Sequence, residues 1–467
     1  MLLASCVALA ALAGCQSRQD RAGEAYQRYQ AAAAAGDLSG VRQALLRLVS
    51  ADDTVAEYWA ELGKVQLQLG DYSAAYEAFL HAHELDPANA SILAILTQIT
   101  LRSGNLEQAE QRARELEIVA PEDPAVRLTF GYVALRRGDI EEANRQADLL
   151  LASAPYESSA KVLRARILLR SGESQQAIDV LREQVRLQPS DEPSLRALLS
   201  IYEFRELWPD AAATASHLLR LQPADGQLRA QLIESELRAG RALVAAQVTI
   251  EGLKSANATQ IEKLLYPWVA LGTQREIARA VFKFGKAATG ARREAFARFL
   301  IAANQPQWVI ELTQDAATLP INPTNAVPNA LYGLAMARIG QRAAGLDRLN
   351  QVIAMDSSNA DAIRGRAELR SAAGDHRLAI EDVQRLITLE RQSAQARLML
   401  ARIYLAAGLP NDTRRTLWDA FHEITADRTI YVALRNWLLR TEGNDAAIRL
   451  SKEFEDQRNQ RMARSFA

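Results

Sequence analysis

The sequence predicts an all-α fold, a solenoid of about 13 helix-turn-helix repeats, and three observations predict it. Glycines recur every 34 residues at Gly36, Gly70, Gly104, Gly138 and Gly172, and the same phase passes through Glu206 to Gly240 and returns at Gly340, Gly374 and Gly408. Prolines form a second ladder of the same period, Pro87, Pro121, Pro155, Pro189 and Pro223, each 17 residues after its glycine. Hydrophobic residues make up 49% of the 467-residue chain but aromatics only 6%, and Ala, Leu, Glu, Gln and Arg, which dominate, are good helix formers. A single core stops growing near 250–300 residues, so a chain of this length needs several domains or a repeat.

Each ladder position has a physical role. Glycine reaches positive φ and ends the first helix of a unit. The Asp or Asn beside it, as in Gly36-Asp37, Gly70-Asp71 and Gly104-Asn105, caps the second helix. Proline cannot continue a helix, so it closes that second helix and opens the next unit. Phasing the chain this way gives units of 34 residues from 22 to 259, an irregular stretch over 260–325, and regular units again over 326–467, after a leader and short linker at 1–21. The step from Gly240 to Gly340 is three periods less two residues, which places one two-residue deletion just before Gly272. Pro267, Pro306, Pro320, Pro323 and Pro328 crowd this middle region, as do Tyr266, Trp268, Phe282, Phe284, Phe296, Phe299 and Trp308. These aromatics either fill wider gaps where the stacking is irregular or form a hinge with an apolar partner patch.

The unit around Gly70 carries a side-chain signature: Trp59-x-x-Leu62-Gly63, Gly70-Asp71-Tyr72, Ala75-x-x-x-Phe79-x-x-Ala82, then Pro87. It resembles the tetratricopeptide repeat (TPR), with Gln66 in place of the family's tyrosine. Alanine recurs at the helix-contact position as Ala109, Ala143, Ala177, Ala211, Ala245 and Ala379, and Phe130-Gly131 and Tyr332-Gly333 repeat the apolar–glycine pair. The resemblance implies a right-handed superhelix whose concave face is lined by the first helix of each unit and binds protein or peptide partners. Carried onto this chain, the family's inner positions are Glu57, Ala60, Lys64 and Gln68 in one unit, then Gln98, Arg102, Tyr132, Arg136, Arg166 and Arg170 in the next three. Arg102, Arg136, Arg170, Arg238, Arg338 and Arg440 share one repeat position, two residues before the turn. They offset the negative end of the helix dipole, or form a basic strip for acidic peptides or polyanionic polysaccharide; both readings stand at this point.

The first residues look like an address. Leu2 to Leu12 are apolar or small and too few to span a bilayer, and Leu12-Ala13-Gly14-Cys15 is followed at once by polar residues. The box resembles the bacterial lipobox, although nothing basic precedes Arg18. The resemblance implies lipidation of Cys15, and Gln16 after it implies an outer-membrane anchor facing the periplasm.

Charge and motif content exclude several function classes. Lys and Arg number 55 against 56 Asp and Glu, so no basic excess points to nucleic acid. Cys6 and Cys15 are the only cysteines, which excludes a disulfide framework and a cysteine metal site in the body. His81 and His83 lie two apart and do not converge on one helix face, so no metal is expected there. No nucleotide, hydrolase or calcium motif occurs, and no cofactor is expected. The expectation is a non-catalytic scaffold lipoprotein of a cell-envelope assembly or export machine, similar to TPR lipoproteins of exopolysaccharide-export, PEP-CTERM, pilus or secretion loci. The alternative is a regulatory subunit docked on a polysaccharide synthase or export enzyme.

Overall fold

The computed structural model describes residues 18–153 and 157–465. The lipobox with Cys15, and Pro155 of the proline ladder, lie outside them. The described residues are all-α, a solenoid of TPR-type hairpins: thirteen pairs of antiparallel helices with one short 3₁₀ turn at Gln274–Glu276. The first pair is Arg18–Ala34 with Leu38–Ala51, the second Ala56–Gln68 with Tyr72–Leu85, and the last Arg428–Thr441 with Asn444–Ser465. No helix among the described residues is long and apolar enough to cross a membrane. The helices gather into two compact units, one up to Ser194 and one from Leu195 onward.

The turn ladder is a ladder of left-handed residues. Gly36, Gly70, Gly104, Gly138, Gly172, Gly240, Gly272, Gly340, Gly374, Gly408 and Gly443 all have φ between +67° and +100°. Each sits where a first helix has ended and the chain must reverse, a conformation open to glycine at no steric cost. The polar residue beside the glycine caps the second helix. Asp37, Asp71, Asn105 and Asp139 each accept a hydrogen bond from the amide three residues on, at 3.0–3.2 Å. Glu173, with one more methylene, makes no such bond. At the other end of the unit, Pro87, Pro121 and Pro223 each stand two residues before a capping Asn89, Asp123 or Asp225.

Packing follows the small residues. Ala75, Ala109, Ala143, Ala177, Ala211, Ala245 and Ala379, one per hairpin, are fully buried where the two helices touch. Gly63 brings the first helix of its hairpin onto Phe79; a methyl group there would lie 2.7 Å from the ring. Gly333 and Gly345 bring two backbones together, since a methyl group on Gly345 would run into the Gly333 carbonyl. Side chains with little surface permit this approach, and the large apolar residues beside them, such as Leu62 and Phe79, gain the burial.

The middle of the chain departs from the single deletion expected before Gly272. The left-handed residues there are Gly240, Gly272, Asn304 and Gly340, so the steps are 32, 32 and 36 residues. Two hairpins are each shortened by two, and two residues return in the connection before Ala326–Arg338. Asn304, at φ +53°, is the turn that a search for glycine passes over; asparagine enters this region more readily than other side chains do. The prolines sort by place. Pro267 is buried inside Ala258–Ala270, and Pro306 opens Pro306–Ala317. Pro320 and Pro323 lie in the lengthened connection, where Asn325 donates to the Pro320 carbonyl at 3.0 Å. Of the aromatic residues, Trp268 and Phe296 are fully buried, and Phe282 stacks on Trp308 at 5.0 Å, so most of the cluster fills core. Tyr266 is half-exposed.

Candidate functional site: the hollow of the C-terminal unit

The first helices of successive hairpins in the C-terminal unit turn one face toward a common hollow of about 1210 Å³. The spacing of the lining residues explains why. In Ala360–Ala372 they include Asp361, Arg364, Glu368 and Ala372; in Ala394–Ala406 they include Gln395, Leu398, Arg402 and Ala406. Steps of three and four keep side chains on one helical face. These offsets are the same as those of Glu57, Ala60, Lys64 and Gln68 in the second hairpin.

The wall is mixed. Leu265, Val269, Phe299, Leu334, Leu398, Met399 and Trp437 supply apolar surface, and five arginines face three acids: Arg298, Arg338, Arg364, Arg402 and Arg440 against Glu262, Asp361 and Glu368. Three of the arginines are held. Arg298 bonds Asp361 and Glu262, both at 2.9 Å, bridging helices from three hairpins. Asp361 and Glu262 in turn keep the Arg298 guanidinium charged against its burial. Arg338 forms a forked pair with Glu368 at 2.9–3.0 Å and donates to the Ile301 carbonyl at 2.6 Å. Arg364 pairs with Glu390 at 2.7 Å and lies 3.5 Å from Asp361. Arg402 and Arg440 are different. Each donates its Nε to a carbonyl one turn back in its own helix, Leu398 and Asn436, and neither forms an ion pair among the described residues. Both are exposed to the hollow, next to Trp437, whose indole N–H is buried without a partner. The hollow therefore offers apolar surface with two arginines outside any ion pair among the described residues, on the last two inner helices.

The residues singled out from sequence lie in the N-terminal unit. Lys64 is exposed and pairs with Glu61 at 2.6 Å. Gln68, Gln98, Arg136 and Arg170 are exposed on their helices. Arg102 is also exposed and edges a separate hollow of about 590 Å³ with Tyr72 and Tyr76. Tyr132 is 8% exposed, and the Arg166 guanidinium lies 4.9 Å over its ring. Burial pushes the Tyr132 hydroxyl up and the Arg166 guanidinium down from their ordinary pKa values. The structure thus joins Tyr132 to Arg166 and leaves the other six exposed on their helices. Further along the arginine ladder, Arg238 pairs with Glu234 at 2.8 Å and covers the Trp208 ring at 4.8 Å. Arg440 stands three residues before its turn glycine, Gly443, because the last step of the ladder is 35. Arg298, Arg402 and Trp437 were not singled out from sequence. The signal was present for Arg402, since it occupies the offset of Lys64.

Fold and hollow together define an all-α repeat protein of the TPR type. A model of the tetratricopeptide repeat matches residues 66–129, and a model of the N-terminal TPR repeats region of Psidin matches residues 126–260. No curated protein matches the chain. Among solved structures, the chain is similar to TTC0263, a thermophilic TPR protein in Thermus thermophilus, at 23% identity and a TM-score of 0.36, covering 39% of this chain and 100% of that one. It is similar to Pseudomonas aeruginosa pilF at 20% identity and a TM-score of 0.32, over 48% of this chain and 100% of that one. The Cut9–Hcn1 hetero-tetramer of APC/C matches at 13% identity and a TM-score of 0.31, over 96% of both chains.

Proposed function

We propose that this protein is a non-catalytic scaffold whose C-terminal unit captures an acidic polypeptide segment bearing large apolar side chains. The observation that carries this reading is the pair Arg402 and Arg440 in the hollow, cationic and without ion-pair partners among the described residues, beside Met399 and Trp437. A guanidinium fork with free Nη donors suits a carboxylate, and the apolar wall suits Leu, Phe or Met anchors. Hydrogen bonds to charged groups contribute about 1.5–3 kcal/mol each. Replacing both Arg402 and Arg440 by Gln therefore weakens binding of a labelled Leu/Phe/Glu peptide at least tenfold in fluorescence anisotropy. Equal affinity for the double variant and the wild type would refute the reading. The exposed arginines of the N-terminal unit offer a second acidic-partner strip: Arg102, Arg136 and Arg170 replaced together by Gln weaken partner capture and leave the helical content unchanged.

The cellular setting rests on the leader. Leu12-Ala13-Gly14-Cys15 at the switch from apolar to polar sequence supports an outer-membrane lipoprotein facing the periplasm, with the array serving an envelope assembly or export machine. Cys15→Ser releases the protein into the soluble periplasmic fraction; persistent membrane association removes the anchor from the proposal. Purification from detergent-solubilised membranes separates the scaffold from the regulatory-subunit alternative. Pilus, secretin or export components in the eluate favour the scaffold, and a stoichiometric glycosyltransferase favours the subunit.

A further inference from the structure

One rung of the turn ladder breaks the backbone rule. Glu206 takes φ +58°, where eleven other turns use glycine and one uses asparagine. For a side chain of this size the left-handed region carries a steric cost. The turn itself does not require glutamate. Leu207 N bonds the Tyr202 carbonyl at 2.8 Å, as Asp71 N bonds Gln66 at 2.9 Å in a glycine turn, so glycine would close the same loop. What glutamate adds is a carboxylate. Its Oε1 accepts from Arg428 Nη1 at 2.6 Å and lies 3.3 Å from Arg458 Nη1, residues 222 and 252 positions further along. Arg458 also donates to the Phe204 carbonyl and lies 4.8 Å over the Phe204 ring. The last hairpin of the C-terminal unit thus returns to the first hairpin of the same unit. The Tyr266 hydroxyl is pushed up by burial and then by Asp427, which caps the first helix of the last hairpin, and by Glu234.

This joint differs from its neighbours. Between consecutive hairpins, buried Leu, Ile, Ala and Phe side chains form continuous cores. Here the contact is an ion pair of Glu206 with Arg428 and Arg458, joined by the Arg458 guanidinium over the Phe204 ring, and the side chains of Glu206 and Arg428 are 38% and 44% exposed. Exposed ion pairs contribute little and are screened by salt, so this joint opens where the apolar ones stay shut. An ionic seam matters for a binding hollow, because a segment flanked by folded domains cannot thread in from an end and must enter from the side.

We propose that Glu206, with Arg428 and Arg458, forms an ionic clasp that closes the C-terminal unit into a ring and gates lateral entry to its hollow. The gating rests on the reading of that hollow as a peptide site; the clasp does not. The test uses the full chain with Cys6→Ser and Cys15→Ser, and Arg205→Cys and Lys452→Cys as spin-label positions. Double electron–electron resonance gives one short distance for this protein at low salt. Adding Glu206→Gly, or raising the salt, brings in a longer population, while the melting temperature of the Gly variant does not fall, because glycine suits the turn. An unchanged distance distribution in the Gly variant overturns the clasp. For gating, two probes are compared: a free labelled Leu/Phe/Glu peptide, and the same peptide placed between two folded domains. Association of the flanked probe rises at least threefold in the Gly variant, and that of the free peptide does not. Opening without this selective gain overturns gating and leaves the clasp. Opening with no binding of either probe overturns the peptide reading, and gating with it.

Discussion

At the residue scale, three positions carry consequences out of proportion to their size. Gly63 lets two helices touch at Phe79, so Gly63→Ala forces the ring to move; overpacking of this kind costs about 1–3 kcal/mol, read as a lower denaturation midpoint. Trp268 is fully buried and donates its indole N–H to Thr249 Oγ1 at 3.0 Å. Thr249→Val keeps the shape and removes the acceptor, leaving a buried donor unpaired at a cost of about 1–3 kcal/mol. Glu203 is half-buried against Glu234, and burial first and that carboxylate second push its pKa up to about 7, against the pull of Gln231 and Arg238. Between the ordinary glutamate range and pH 7 the folded chain then holds a proton that the unfolded chain has released. Stability therefore falls as pH rises through this window. Thermal melts at pH 5 and pH 8 show a smaller drop for Glu203→Gln than for the wild type; equal drops would mean that Glu203 does not titrate in this range.

At the scale of the element, the hairpin is legible because each of its boundaries is written in one residue type. Glycine marks the reversal, Asp or Asn the cap, and proline the exit. Asp71→Ala removes the acceptor for Ala74 N and costs about 1 kcal/mol of stability, measurable by denaturant titration. The same code fails where a different residue does the same job. Asn304 and Glu206 both make left-handed turns without glycine, and without Asn304 the steps of 32, 32 and 36 between Gly240 and Gly340 do not show as a ladder. The lining of the hollow was legible in principle, since Gln395, Leu398, Arg402 and Ala406 stand at offsets already read for Glu57, Ala60, Lys64 and Gln68. What periodicity does not contain is which arginines of a repeated face are paired. Arg338 and Arg440 look alike in the ladder, yet Glu368 neutralises only the first, through a contact between hairpins that no local pattern encodes.

At the scale of the whole molecule, stability is a sum over hairpins and their immediate neighbours. Deleting residues 90–123, one full period, keeps both ladders in phase and leaves helicity per residue and cooperative melting intact by circular dichroism. Deleting Ala90–Ser103 alone strips the cover from Leu116 and Phe79 and produces aggregation. The sequence of steps 32, 32 and 36 can be viewed as a stacking fault in a one-dimensional crystal. Two layers are thinned, one spacing is widened, and the 34-residue repeat resumes at Gly340 with a net shift of two residues. The widened spacing lies in residues 318–325, outside any helix, where added length costs only the slowly growing entropy of loop closure. This short stretch is thus the place where the array absorbs single-residue insertions that, within the helices of the regular hairpins, would turn every following side chain away from its layer.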